Sequence, residues 1–343
     1  MNILVTGGAG YIGSHTVLTL LDKGHKVSII DNLITGSKKI IPKKANFYNC
    51  DIANKSKVER IIRKNNFDAV IHFAGLIKVE DSVKYPKKYN FFNYLKTKVF
   101  IDTCIENELK NIIFSSTASV YGKARIKKNF LELDRLKPIN PYAKSKLKVE
   151  KFLIKKSKEK KINYMILRYF NVAGADLKLR SGLIDKNSSH LIKVACEVAT
   201  NKKNFLKING KNFNTKDKTT IRDFIHVLDL ADIHILSIDY LLKKNKSQIL
   251  NCGYGKGFSV LQILNSFNKL LKKPIKYKIG PRRKGDTEKV VANCNKIKKI
   301  LKWKPKYNSI EIILKSALEW EKKFIKKNLY NISNEKRKFS IDK

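Results

Sequence analysis

The sequence predicts an α/β fold, a doubly wound parallel sheet with helices on both faces, joined to a smaller mixed α/β domain. Three observations predict it. The stretch Gly7-Gly8-Ala9-Gly10-Tyr11-Ile12-Gly13 lies between an apolar run at residues 2–5 and a segment, 14–23, that carries Val17, Leu20 and Leu21 at helical spacing. The next β-type run, 26–30, ends on an acidic residue, Asp31. From there strand-like and helix-like runs alternate as far as Tyr169, as in a parallel sheet covered on both sides.

The glycines fall where a strand turns into a helix. A loop poor in Cβ atoms lets the backbone approach a pyrophosphate, and the helix N-terminus offers unpaired N–H groups and a partial positive charge to the same anion. Gly7, Gly10, Tyr11, Ile12 and Gly13 are therefore candidate cofactor contacts. Asp31, eighteen residues after Gly13, can accept hydrogen bonds from both adenosine ribose hydroxyls and would repel a 2′-phosphate. The pattern favours NAD in a Rossmann-type domain.

Further along, the sequence predicts a strand at 46–50, a helix at 55–64, an apolar strand at 68–74 and a long helical stretch at about 85–107. A strand at 111–115, a helix from Pro141 and a strand at 163–169 follow. Polar signatures sit at the carboxyl ends of these strands, where such sheets bind ligands: Asn32 beside Asp31, Asp51-Ile52, Phe73-Ala74-Gly75, Ser115-Ser116-Thr117 and Arg168 through Phe170 to Asn171. Residues 1–171 thus form the cofactor domain, with 222–252 returning to its sheet. Residues 172–221 and 253–325 form the smaller domain over the cofactor, and 326–343 a basic tail, frayed from about 322.

The 343 residues, 43% hydrophobic, suffice for a sizeable core. Net charge is extreme at +44, from 73 basic and 29 acidic residues, and raises nucleic acid or an anionic membrane as partners. The lysines, however, are spread from end to end, and no basic stretch is interleaved with base-stacking aromatics. No specific nucleic-acid partner is expected, while an anionic substrate would gain from the field. Five scattered cysteines, none paired at metal-ligand spacing, fit reduced thiols in a cytoplasm and predict no metal site. The first strand begins at Asn2, so no leader is expected, and no apolar run approaches the roughly 20 residues that span a bilayer.

The second chemical anchor is Asn140-Pro141-Tyr142-Ala143-Lys144-Ser145-Lys146. On a helix starting at Pro141, Tyr142 and Lys146 are four apart and share a face. A phenol titrates near 10 and is a poor base at neutral pH. An ammonium and a cationic nicotinamide beside it would favour the phenolate and make Tyr142 a general base. Thr117, at the end of the 111–115 strand, is placed to hydrogen-bond the same substrate oxygen.

With these residues in view, the sequence resembles the extended short-chain dehydrogenase/reductases and, within them, the UDP-glucose 4-epimerases. The resemblance covers residues 3 to about 320. It is carried by the glycine stretch through His15, Asp31-Asn32, His72-Phe73-Ala74-Gly75, Ser115 through Gly122, Tyr142 with Lys146, and Arg168-Tyr169-Phe170-Asn171. It continues as Ile221-Arg222-Asp223-Phe224-Ile225-His226-Val227, Asp229-Leu230-Ala231, Pro281-Arg282-Arg283 and Gly285-Asp286. What it implies is an NAD-dependent isomerase of a UDP-hexose, cytoplasmic and homodimeric. Tyr142 would take the proton of the sugar 4-hydroxyl as hydride leaves C4. Thr117 would polarise the oxygen, and Lys146 would tune Tyr142 and bind the nicotinamide ribose. The 4-keto sugar then turns and takes the hydride back on its other face. Arg222, Arg283 and Asp286 match positions that hold the UDP, Asn171 matches one that contacts its phosphates, and Leu191 matches a substrate-binding position. The helices at about 85–107 and 142–158 are the expected dimer interface.

The chain also departs from the family pattern. A Lys that many members place two residues after the glycine of Phe-Ala-Gly is here Ile77, with Lys78 one position later, and a tandem Asn appears as Phe92-Asn93. A common Asn-Asn-Leu is Ser189-His190-Leu191, and a Phe that often borders the uracil is Asn209. Val290 stands where many glucose-restricted members carry Tyr, which opens space beside C2 of the sugar and suggests that the N-acetylated pair is also accepted. A 4,6-dehydratase of this fold would need an Asp-Glu pair after the Thr, and Ala118-Ser119 cannot do that acid–base work. A UDP-glucuronate epimerase or decarboxylase differs only in pocket residues around C6 and stays open at this stage. A non-catalytic dinucleotide- or RNA-binding protein predicts a damaged Thr/Tyr/Lys set, which is not found.

Overall fold

The computed structural model describes residues 1–122, 128–185, 188–283 and 285–341, with side chains as far as Lys326. Its strands, in chain order, are β1 (Asn2–Thr6), β2 (Lys26–Asp31), β3 (Asn46–Asn49), β4 (Ala69–His72), β5 (Asn111–Thr117), β6 (Asn163–Tyr169) and β7 (Asn171–Ala173). They continue as β8 (Leu206–Asn209), β9 (Ile221–His226), β10 (Gln248–Cys252), β11 (Gly257–Ser259), β12 (Tyr277–Gly280) and β13 (Lys289–Val290). Seven of them make one parallel sheet in the order β10-β6-β5-β4-β1-β2-β3.

Both faces of this sheet are covered, which is why its central strands β1 and β4 read as near-continuous apolar runs rather than alternating. Ile3, Val5, Ile71, Ile113, Met165 and Leu167 pack against helices Tyr11–Asp22 and Val227–Lys244. The residues between them, Leu4, Val70, Ile112, Phe114 and Ile166, pack on the other side against helices Lys55–Asn65, Lys96–Glu106 and Pro141–Lys158. Strand order reverses between β1 and β4. The crevice at their carboxyl ends is where such a sheet takes its ligand.

The smaller unit has its own core, in which helices Leu191–Ala199 and Val260–Leu271 and the start of helix Ile310–Ile341 cover β8 and β9. Strand β9, inside the segment expected to rejoin the main sheet, instead pairs with β7, β11 and β13. The return is made by helix Val227–Lys244 and β10. The long helix expected at 85–107 is segmented into Val79–Lys84, Pro86–Asn90, a wide five-residue turn at Phe91–Leu95, and Lys96–Glu106. Pro86 cannot donate a backbone hydrogen bond and sets the first break. The sequence also suggested fraying from about residue 322, whereas the last helix runs through it to Ile341. No Pro or Gly interrupts that stretch.

Candidate functional site

The glycine-rich turn leaves β1 at Gly7, whose φ of +72° and close approach to the backbone of Phe73 and Ala74 admit no side chain. Gly13 lies against the Gly7 carbonyl, so the turn folds tightly onto the helix it starts. Tyr11, Ile12 and Gly13 form that helix's first turn, whose N–H groups have no carbonyl a turn earlier to bond. Neither a side-chain cap nor an acidic residue competes for them. This cradle, which Cβ atoms would fill, fits the pyrophosphate of a dinucleotide. Asp31 ends β2, with one carboxylate oxygen accepting from Ala9 N at 3.0 Å and the other from Leu33 N at 2.8 Å. Burial raises its pKa against the pull of those two N–H groups. Each oxygen keeps a lone pair for a ribose hydroxyl.

Asp51 accepts from Asn32 Nδ2 at 3.2 Å, from Ala53 N at 2.9 Å and from Lys96 Nζ. Burial raises its pKa, but Lys96 and the N–H donors outweigh it and hold it below the usual range. Ile52 and Phe170 are buried in the two faces of the main core, and the Phe170 N–H donates to the Cys252 carbonyl at 3.0 Å. Phe73 and Ala74 line the turn against Gly7. Gly75 is pinned beside Lys146: a Cβ there would lie 3.7 Å from Lys146 Nζ and 3.1 Å from Asn93 Oδ1. Asn93 projects from the wide turn at Phe91–Leu95, and its amide bonds Leu76 N at 2.7 Å, Leu76 O at 2.9 Å and Ser145 Oγ at 3.1 Å. The bulged turn thus gives the loop after β4 a fixed shape. Lys78 pairs with Asp185 at 3.4 Å while Ile77 is exposed.

Thr117 ends β5, and helix Pro141–Lys158 brings Tyr142 and Lys146 over it. The Thr117 hydroxyl accepts from Ser119 N at 3.2 Å and hydrogen-bonds the Tyr142 phenol. Lys146 is buried above the Phe114 ring, 4.9 Å from its centroid, and its ammonium donates to the Ser115 carbonyl at 2.9 Å. Burial pushes Tyr142 up to about 12, against the lowering by Thr117, and brings Lys146 down to about 8. The sequence expectation places Lys146 and a cationic nicotinamide together beside this phenol, and only the first of the two charges belongs to the chain. The ammonium is seated on β5, so desolvation governs Tyr142 in the protein alone.

In the smaller unit, Asn171 and Arg222 lie on neighbouring strands of the four-stranded sheet, and Leu191 opens a helix beside it. Arg222 donates to the carbonyls of Ile221 and Thr287, both at 2.9 Å, and pairs loosely with Asp286 at 3.6 Å. Burial lowers its pKa, with Asp286 opposing and Arg283 adding to the shift, so an anion is welcome there. Arg283 itself is drawn across to Glu80 at 2.9 Å, and its carbonyl accepts from Asp286 N at 3.1 Å. Val290 pairs in register with Arg222, Asn209 ends β8, and His190 precedes Leu191.

Two residues that shape the site were not singled out in the sequence: Glu80, and Glu150, which forms a buried pair with Arg168 at 2.7 Å; Asn93 and Arg168 were, but not in the anchoring roles they play. Arg168 also donates to Tyr121 Oη and Glu132 O, both at 3.0 Å, so this strand-end residue ties β6 to Tyr121 and Glu132 rather than to a ligand. A charged residue inside an otherwise apolar strand was the available signal.

Residues 3–253 match the model of the NAD dependent epimerase/dehydratase family. A UDP-glucose 4-epimerase of Halalkalibacterium halodurans is 40% identical over 322 residues, 94% of this chain and 96% of that protein. The crystal structure of UDP-glucose 4-epimerase from Bifidobacterium longum in complex with NAD+ and UDP superposes with a TM-score of 0.88 at 35% identity, covering 94% of this chain and 98% of that one. The UDP-Glc/GlcNAc 4-epimerase from Campylobacter jejuni gives 0.81 at 40% identity, covering 94% and 99%. The chain belongs to the NAD dependent epimerase/dehydratase family, among the UDP-glucose 4-epimerases.

Proposed function

We propose that the protein interconverts UDP-glucose and UDP-galactose by oxidising the sugar at C4, letting the ketone turn, and reducing it on the opposite face. The observation that carries this reading is the meeting of Thr117, Tyr142 and Lys146 at the end of β5, beside Gly75 and the β1–β4 crevice. NAD, held by the residues named below, would supply the hydride acceptor and donor for C4, and its cationic ring would favour a phenolate at Tyr142. Tyr142 removes the 4-hydroxyl proton and gives it back, with Thr117 holding the oxygen between them. Lys146, already desolvated, orients the cofactor ribose and stabilises the ionised Tyr142. Gly7, Gly10, Tyr11, Ile12 and Gly13 hold the pyrophosphate, and Asp31 the adenosine ribose. Asn32, Asp51, Ile52, Phe73, Ala74, Gly75 and Phe170 complete the cofactor surface.

The smaller unit, residues 172–221 and 253–325 together with the rest of β7 and β9, holds the nucleotide. Arg222, Arg283 and Asp286 fix the UDP, Asn171 contacts its phosphates, and Leu191 lines the substrate site. The Arg283–Glu80 pair is largely exposed and worth little, so a diphosphate competes with it readily. Val290 leaves room beside C2, and the similar Campylobacter jejuni enzyme is described as a UDP-Glc/GlcNAc 4-epimerase. We infer that the N-acetylated pair is accepted too. The protein is read as a cytoplasmic homodimer joined through the helices at 79–106 and 141–158, where Val83, Phe91, Leu95 and Val99 are exposed apolar side chains. Among the described residues, no helix is long and apolar enough to cross a membrane.

Purified protein given UDP-galactose or UDP-N-acetylgalactosamine without added NAD, with each C4 epimer resolved by chromatography, tests the reading. Interconversion of the first is expected. Turnover of the second, lost in Val290→Tyr, is expected for the wider pocket; no turnover by the wild type with a gain in Val290→Gly would reject it. Sedimentation at micromolar concentration decides the dimer.

A further inference from the structure

Behind Lys146 lies a row of side chains that the reaction scheme leaves unused. Lys146 Nζ, 2.9 Å from the Ser115 carbonyl, is also 3.4 Å from the Ser115 hydroxyl. That hydroxyl faces the Tyr169 phenol as a hydrogen-bond partner. Ser115 pairs with Leu167 in the β5–β6 ladder, and Tyr169, two residues on, lies on the same face. The Tyr169 phenol is 2.6 Å from His234 Nε2, and His234 Nδ1 is 2.7 Å from the Leu230 carbonyl, one turn back on helix Val227–Lys244. All four side chains are buried.

The direction of every bond in this row follows from its far end. A backbone carbonyl only accepts, so Nδ1 carries the imidazole proton and Nε2 must accept from Tyr169. With its proton on His234, the Tyr169 oxygen accepts from Ser115. With its own proton on Tyr169, Ser115 turns only lone pairs toward the ammonium. Reversed, the row would aim a hydroxyl proton at a cation. We propose that His234 is a positioning residue for the reaction: its tautomer, fixed on Leu230, sets the direction of the Tyr169–Ser115 chain and so seats the Lys146 ammonium beside Tyr142. The inference rests on the roles given above to Tyr142 and Lys146. Tyr142, His72 from β4 and Cys252 from β10 are the other titratable groups facing the row. The Phe73 ring packs on His234 with centroids 4.8 Å apart, which ties the same imidazole to the cofactor surface.

The test is the pH dependence of kcat with UDP-galactose for the wild type, His234→Phe, His234→Gln and Tyr169→Phe. In His234→Phe and Tyr169→Phe the acidic limb should move up by about half a unit or more, and kcat at pH 7 should fall by roughly three- to ten-fold, with KM unchanged. His234→Gln, whose amide oxygen accepts from Tyr169, should recover most of the loss. The ¹⁵N shifts of the imidazole missing from His234→Gln should report the Nδ1–H tautomer in the wild type between pH 6 and 8. This readout needs no turnover, so an inactive wild type would count against the assigned reaction while the tautomer still decides the chain. An Nε2–H tautomer, or unmoved pH profiles in both His234→Phe and Tyr169→Phe, overturns the proposal.

Discussion

Gly13 has no room for a methyl group. A Cβ built there would meet the Gly7 carbonyl oxygen at 2.3 Å and Gly8 Cα at 2.9 Å, and both neighbours are backbone that cannot swing away. Gly13→Ala should therefore push the turn open, costing about 1–3 kcal/mol of stability and most of the retained NAD. Gly24→Ala supplies the contrast, because nothing lies within 4 Å of that Cβ and only its φ of +79° opposes a side chain. Its cost, about 1 kcal/mol of backbone strain, should leave NAD retention untouched. Thermal melts and the absorbance of copurified cofactor separate the two; equal NAD loss in both would show that the cradle is not where the dinucleotide sits. Such residues were legible in the sequence because their meaning is local: a glycine before a helix, a Tyr four residues before a Lys. The partners of Arg283 and His234 were not, since Glu80 and Tyr169 reach them only through the folded topology.

Among the elements, helix Pro141–Lys158 matters most, because its first turn carries Tyr142, the proposed base. Asn140 caps it, with Oδ1 accepting from Ala143 N at 2.8 Å, and Pro141 occupies the position where a missing N–H costs nothing. Tyr142 follows at once, so fraying of the first turn moves the phenol away from Thr117. Asn140→Ala should cost about 1 kcal/mol of stability and lower kcat several-fold, while Asn140→Ser or Asp should restore both. A fall in stability with kcat unchanged would mean that the turn is held by its packing alone. This helix was readable from its own cap and periodicity, as were β1, β2 and β6. The stretch at 79–106 was not, because its wide turn is favoured by the bonds Asn93 makes to Leu76 and Ser145, outside the helix. Likewise β9 carries a strand pattern that names no sheet, and its partners β7, β11 and β13 decide its place.

For the molecule as a whole, five of the six histidines bear on how it meets acid. Burial lowers His15, His190 and His234 to about 4 and His72 and His226 to about 3. Geometry gives the reason at two of them: His15 Nε2 accepts from Asp176 N and His226 Nδ1 from Leu228 N, both at 3.1 Å, so neither nitrogen can take a proton without breaking a backbone bond. In the unfolded chain each imidazole titrates near 6.5. Between that value and the folded one the unfolded state binds more protons, so stability is fully present above about pH 6.5 and is lost as pH falls toward 4. A second acid effect runs in parallel, since protonating carboxylates adds to a net charge already at +44. Salt separates the two, because dispersed surface repulsion is screened within a Debye length of about 8 Å at physiological ionic strength, and less at higher salt, whereas buried imidazoles are not. Urea midpoints at pH 7.5 and 5.0 should differ markedly at low salt, and most of the difference should persist in 0.5 M salt. Its disappearance there would assign the acid lability to the lysine-rich surface instead of the histidine-lined interior.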